Sequence, residues 1–138
     1  MKRNYFYNGL ATCLLSLSAL IAPAQEKGSL TVEIEGLRNN DGRVMIALAE
    51  QAVPANMNFI ATKMVPADTA GLKLYFNDLP ETTIYIQVFH DENGNFKLET
   101  SPEGIPQEGV GSIKGSRERP SVNMLNGPRE IKIHMIYF

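Results

Sequence analysis

Residues 90 to 99, "HDENGNFKLE", set oxygen-bearing groups at alternate positions. Asp91, Asn93, Asn95 and Glu99 offer side-chain oxygens, and the backbone carbonyl of Lys97 falls in the same series. Hard oxygens on a tightly turned backbone are what a calcium loop needs, here at relative positions 1, 3, 5, 7 and 9. Two positions break the pattern. Position 6, where such a loop has Gly, holds Phe96, and position 12, where it has a bidentate Glu, holds Pro102. Glu103 comes one residue late, and Glu108 joins the group only if the following loop folds over it. The calcium ligand set read from the sequence is therefore Asp91, Asn93, Asn95, Lys97, Glu99 and Glu108. The core of that set carries only the Asp91 and Glu99 charges, so its affinity belongs with weak extracellular sites, roughly 10⁻⁴ to 10⁻³ M. A plain turn fits the same residues. Asn93-Gly94 suits the centre of a type I′ hairpin, with Phe96 and Leu98 starting the returning strand and Asp91 bonding nearby N–H groups. Both readings stay open at this stage.

Other reactive residues are few. His90 ends a strand-like run beside the acidic loop, where it is a packed strand end or, with a partner, a ligand or general base. His134 shares a strand face with Lys132 and Ile136 and reads as structural. Glu103 and Glu108 are a loop pair of carboxylates of a kind that does acid–base work, though their spacing carries little information; a hydrolase would draw its acid and base from Asp91, Glu99 or Glu108. No Gly-x-Ser-x-Gly elbow, His-Glu-x-x-His helix or phosphate-binding loop occurs. The run "GSRERP", residues 115 to 120, reads as a solvated tip or a contact patch for an acidic partner.

The elements that must hold these residues begin after a leader. Lys2 and Arg3 precede the apolar run Leu10 to Ala22, and "APA" at 22 to 24 is a small-residue cleavage pattern. Residues 1–24 are expected to be a secretory signal peptide and residues 25–138 a single domain. The apolar run is shorter than the roughly 20 residues of a membrane span. Cys13, the only cysteine, leaves with the signal, so thiolate and disulfide chemistry are excluded from the exported chain. The whole chain has 13 basic and 15 acidic residues, and loss of Lys2 and Arg3 tips it further acidic. Nucleic acid and anionic membranes are poor partners for such a surface. Periplasm, envelope or extracellular space is the expected location.

Within the domain, Leu30, Val32 and Ile34 alternate with Thr31, Glu33 and Glu35, the pattern of a half-buried strand. Asn40-Asp41-Gly42 is turn chemistry, and "RVMIALA" from 43 to 49 reads as the returning strand of a hairpin. Residues 50 to 66 hold prolines 54 and 66 and no sustained period. They read as a loop with one helical turn that packs Phe59 or Met57 onto the sheet. Leu72, Leu74 and Phe76 resume alternation, Asn77 to Pro80 turns the chain, and "TIYIQVFH" at 83 to 90 is the strongest strand. Residues 91 to 128 are rich in Gly and Pro, with one short strand near 121 to 125. The final "REIKIHMIYF" alternates again. No stretch has the period of an amphipathic helix. Short strands between turn signals predict an all-β fold, an antiparallel Greek-key β-sandwich of about seven strands with one long Gly/Pro-rich loop region.

Four ordered pieces carry a family resemblance: "LTVEIEGLRNNDGRVMIAL", "FNDLPETTIYIQVFHDENGNFKLE", "EGIPQEGVG" at 103 to 111, and the terminal strand ending near Tyr137. Together they resemble the DUF2141 proteins, bacterial secreted proteins without an assigned function. The resemblance implies likeness to transthyretin-like and carboxypeptidase-regulatory-like sandwiches, and it implies no reaction. The chain departs from that family's pattern at Phe96, where Gly is usual, and at Glu99, where Asp is usual. The functional expectation is an exported, non-enzymatic binding or accessory module for an envelope or extracellular protein or polymer. Calcium is its one expected cofactor, ordering loops 91–111. An extracytoplasmic hydrolase and a structural part of an envelope assembly are the alternatives.

Overall fold

The computed structural model describes residues 27–52, 58–116 and 118–138. The expected signal segment and Met57 lie outside them. The described residues contain eight strands and no helix: β1 (Gly28–Glu35), β2 (Arg43–Ala49), β3 (Phe59–Pro66), β4 (Leu72–Leu79), β5 (Thr83–Asp91), β6 (Gly109–Ser112), β7 (Ser121–Asn123) and β8 (Arg129–Ile136). The all-β expectation therefore holds. The strands follow one hydrogen-bonded path, β3-β2-β5-β6-β8-β1-β4, with β7 on the far end of β5.

The sheet is mixed, not purely antiparallel, because β1 and β8 run parallel, Leu30 opposite Arg129 and Ile34 opposite Ile133. Parallel neighbours need a long crossover, and here nearly the whole domain lies between the two strands. The two edges of the path, β3 and β4, are consecutive in sequence. Six residue steps separate Pro66 from Leu72, which limits their separation to about 21 Å. Lys63 Nζ reaches to 5.3 Å from the Phe76 ring across that seam. A sheet whose edges are tied together this closely must curl, and the result is a nearly closed, barrel-like sheet.

Three local expectations change. β1 and β2 do not form a hairpin: β1 pairs with β4 and β8, and β2 with β3 and β5. The Asn40-Asp41-Gly42 turn exists, but it carries the chain across one end of the barrel, with Leu37 buried beneath the link. Residues 59 to 66 are strand, not loop, and Phe59 is 48% exposed on it instead of packed down. That strand was concealed because it is an edge with few buried positions, so it carries little alternation. β6 was concealed because Gly109 and Gly111 carry no pattern. Gly111 is required there, since a Cβ would lie 2.7 Å from both Val88 Cβ and Ile133 Cγ2.

The inward faces build one core. Leu30, Val32 and Ile34 of β1 meet Val44, Ile46 and Leu48 of β2, Ile84, Ile86 and Val88 of β5, and Ile133 and Met135 of β8. The outward faces differ from each other. Over β8, β1 and β4 the surface is charged: Lys73 pairs with Glu33 at 2.8 Å and Glu130 at 3.7 Å, and Lys132 with Glu33 at 3.6 Å and Glu35 at 3.8 Å. Over β3, β2 and β5 it is mostly apolar, because register places Met64 beside Met45 and Met45 beside Phe89.

Candidate functional site

The acidic loop leaves the end of β5 and is organised by Asp91, which is fully buried. Its Oδ1 accepts the Asn95 N–H at 3.0 Å and its Oδ2 the Phe96 N–H at 3.1 Å. Asn93 Oδ1 accepts the Asn95 N–H at 2.9 Å, and Asn95 Oδ1 accepts the Lys97 N–H at 2.9 Å. Asn93 and Asn95 thus each turn the chain two residues onward, while Asp91 spans the whole turn. Asn93 has an ordinary negative φ, so the turn is not type I′, which needs positive φ at both central residues. Positive φ falls instead at Gly94 (73°) and Phe96 (64°). Phe96 therefore takes a left-handed conformation at the position where a calcium loop has Gly.

Glu99 closes the ring. Its carboxylate accepts from Asn93 Nδ2 at 3.1 and 3.0 Å and also from Asn95 Nδ2. The chain then makes a small excursion and comes back, with Gln107 N–H bonded to the Glu99 carbonyl at 2.9 Å and Thr100 bridged to Pro106. That return delivers Glu108 to the base of the loop, where Oε1 accepts the Glu92 N–H at 3.1 Å. Glu108 is 5% exposed, and its buried Oε2 makes no hydrogen bond of good geometry among the described residues. Burial pushes its pKa up from the ordinary value, and the nearby Glu99 and Asp91 carboxylates push the same way. The backbone N–H groups of Glu92 and Glu99 counter this in part.

The structure therefore gathers Asp91, Asn93, Asn95, Glu99 and Glu108 around one loop, and Lys97 enters through its N–H. Glu103 stays apart at the tip of the excursion, bonded to Ser101 Oγ at 2.7 Å, so it forms no pair with Glu108. Among the described residues no three His, Cys, Asp or Glu side chains form a metal-holding group by themselves. Any ion here has to draw on amide and backbone oxygens as well. Of "GSRERP", Gly115, Glu118 and Arg119 are exposed as expected, Ser116 is half-buried and Pro120 is buried with its carbonyl bonded to the Ile86 N–H; Arg119 is bonded to the Ala52 carbonyl at 2.7 Å, and Arg117 lies outside the described residues.

His90 is fully buried and committed on both nitrogens. Nε2 lies 2.7 Å from the Asp41 carbonyl, which can only accept, so Nε2 carries the hydrogen. Neutral Nδ1 then accepts the Tyr137 O–H at 2.8 Å, and Tyr137 Oη accepts the Arg38 N–H at 3.2 Å. Burial raises the Tyr137 pKa, which keeps that phenol a donor. His90 is thus a bonded strand end and has no nitrogen left for a substrate or metal. The same network fixes the Gly36–Gly42 link against the acidic loop. Arg38 donates to both Glu92 oxygens, at 2.8 and 2.5 Å, and Asn39 Nδ2 to Oε1 at 2.6 Å, and these bonds to Arg38 first of all hold the Glu92 pKa down. Sequence reasoning did not single out Arg38, Glu92 or Tyr137 for this support, because their partners lie far away along the chain.

A protein-family model described as an uncharacterized protein conserved in bacteria (DUF2141) matches residues 32–126. The chain belongs to the DUF2141 family. The matched span contains the entire acidic loop and Glu108, and it ends before β8. No curated protein and no solved structure matches the chain.

Proposed function

We propose that this DUF2141 protein is an exported, non-enzymatic binding module whose 91–111 loops are ordered by one weakly bound calcium ion. The observation that carries the reading is Glu108, a buried carboxylate whose Oε2 makes no hydrogen bond of good geometry among the described residues, held near the Asp91 and Glu99 carboxylates. Like charges that close are unfavourable alone and favourable around a divalent ion. The left-handed turn at Phe96 supports the same reading. A kinship of the barrel-like sheet with transthyretin-like folds, a periplasmic or extracellular location, and a protein or polymer partner from the envelope belong to this proposal.

Calorimetric titration of the full chain with Ca²⁺ tests it. A single site with a dissociation constant of roughly 10⁻⁴ to 10⁻³ M is expected, with a matching rise in melting temperature that a chelator reverses. No heat and an unchanged melt through millimolar calcium would remove the ion from the account. One observation favours a hydrolase instead, because burial raises the Glu108 pKa and the Asp91 and Glu99 carboxylates lie near it, the makings of an acid–base pair. Against it, the Asp91 carboxylate is closed over by the loop's own backbone N–H groups.

A further inference from the structure

The apolar half of the outer surface carries a second, independent proposal. A groove of about 260 Å³ is lined mainly by Met45, Phe59, Met64 and Phe89, with Lys63 and Gln87 among its polar members. The outward face of a sheet with one solvated side is normally polar, as it is over β1 and β4. Here Met64 is 43% exposed and Phe59 48% exposed at the rim. A smaller notch of about 200 Å³, lined by Gly42, Arg43, Met64, Val65 and Pro66, adjoins it, with Met64 as the common wall.

Arg43 gives that notch its chemistry. Its guanidinium lies 4.8 Å from the centroid of the Phe96 ring, and Nη1 donates to Met64 Sδ at 3.1 Å. A thioether is a weak acceptor, and buried Nε makes no hydrogen bond among the described residues. No carboxylate among the described residues forms an ion pair with Arg43, whereas Arg38 has the fork of Glu92. A guanidinium held in place on an aromatic face and lacking an acidic partner matches a carboxylate in shape and charge. We propose that this surface binds a small molecule with an apolar body in the Met45–Phe89 groove and a carboxylate head on Arg43. The size of the face argues for a small occupant over a second copy of the chain. Three strands of about seven residues present an area of roughly 300 Å², well below the ~800 Å² per partner of a stable interface.

The test uses the full chain with a chelator present, so that no bound cation contributes, and compares 4-phenylbutyrate with 4-phenyl-1-butanol. The acid is expected to shift the Met45 and Met64 methyl resonances saturably, with the alcohol binding about tenfold more weakly. Arg43→Gln should bring the acid down to the alcohol's level and leave the alcohol unchanged. Arg43→Lys should fall between, because it keeps the charge and loses the fork. Equal binding of acid and alcohol to the native chain would overturn the assignment of the head to Arg43, whether or not either variant folds. Absence of any shift at Met45 and Met64 would overturn the groove. Sedimentation as a dimer with those methyls protected and no binding of the acid would assign the face to a second copy and overturn the proposal.

Discussion

Glu108 and Glu92 are neighbours through one hydrogen bond, yet their environments move their acidities in opposite directions. Glu108 has a folded pKa above its ordinary value of 4.5, mainly through burial. Between the two values the native state holds a proton that the unfolded chain has shed, so stability falls as pH rises through that window and is level above it. Glu92 has a folded pKa below 4.5 through its bonds to Arg38, so it contributes stability above that value and loses it as pH falls through its folded pKa. Glu108→Gln is expected to abolish the slope above 4.5 and keep the one below. At neutral pH without calcium it should melt no lower than the parent, and calcium should no longer raise its melt; denaturation followed across pH measures both. Gly42 has φ +62°, and a Cβ there would sit 1.9 Å from the Asp91 carbonyl oxygen. Gly42→Ala should therefore cost about 3 kcal/mol or more, read from urea denaturation. At this scale the sequence was informative about the loop, since Asp91, Asn93, Asn95 and Glu99 declare themselves by spacing. It was silent on Arg43, whose meaning lies in the partners it lacks.

Alternation predicts β1, β4, β5 and β8 because more buried side chains alternate with more exposed ones along most of each. It fails at β3, whose edge position leaves little buried, and at β6, where close packing selects glycine. The expected hairpin of β1 and β2 failed for another reason: a turn signal fixes local bending, while pairing depends on which strands the core brings alongside. What holds the Gly36–Gly42 link in its crossing path is the chain of bonds from Asp41 through His90 to Tyr137. Tyr137→Phe removes the donor to buried His90 Nδ1 and the acceptor for the Arg38 N–H. A loss of about 1 to 2 kcal/mol is expected in chemical denaturation, with faster amide exchange in residues 38 to 42. Gly111→Ala should lose about 1 to 3 kcal/mol by forcing Val88 and Ile133 apart.

The order of strands was beyond the reach of pattern, because it rests on the parallel meeting of β1 and β8 from opposite ends of the domain. Once formed, the curled sheet gives the molecule three distinct exteriors. One side is laced by the ion pairs of Glu33, Glu35, Lys73 and Lys132, one is the Met45–Phe89 trough, and the end beyond β5 holds the acidic loop. The charged side and the acidic loop compete as places for a cation to gather, and among the described residues only the loop has a buried carboxylate oxygen without a hydrogen bond of good geometry. Residue-resolved amide NMR of the full chain during Ca²⁺ addition separates them. Saturating shifts at Asn95, Phe96 and Lys97, together with Gln107 to Gly109, with a midpoint of roughly 10⁻⁴ to 10⁻³ M, are expected. Shifts confined to the Glu33, Glu35 and Glu130 side, or none in the loop at ten times those concentrations, would contradict the account.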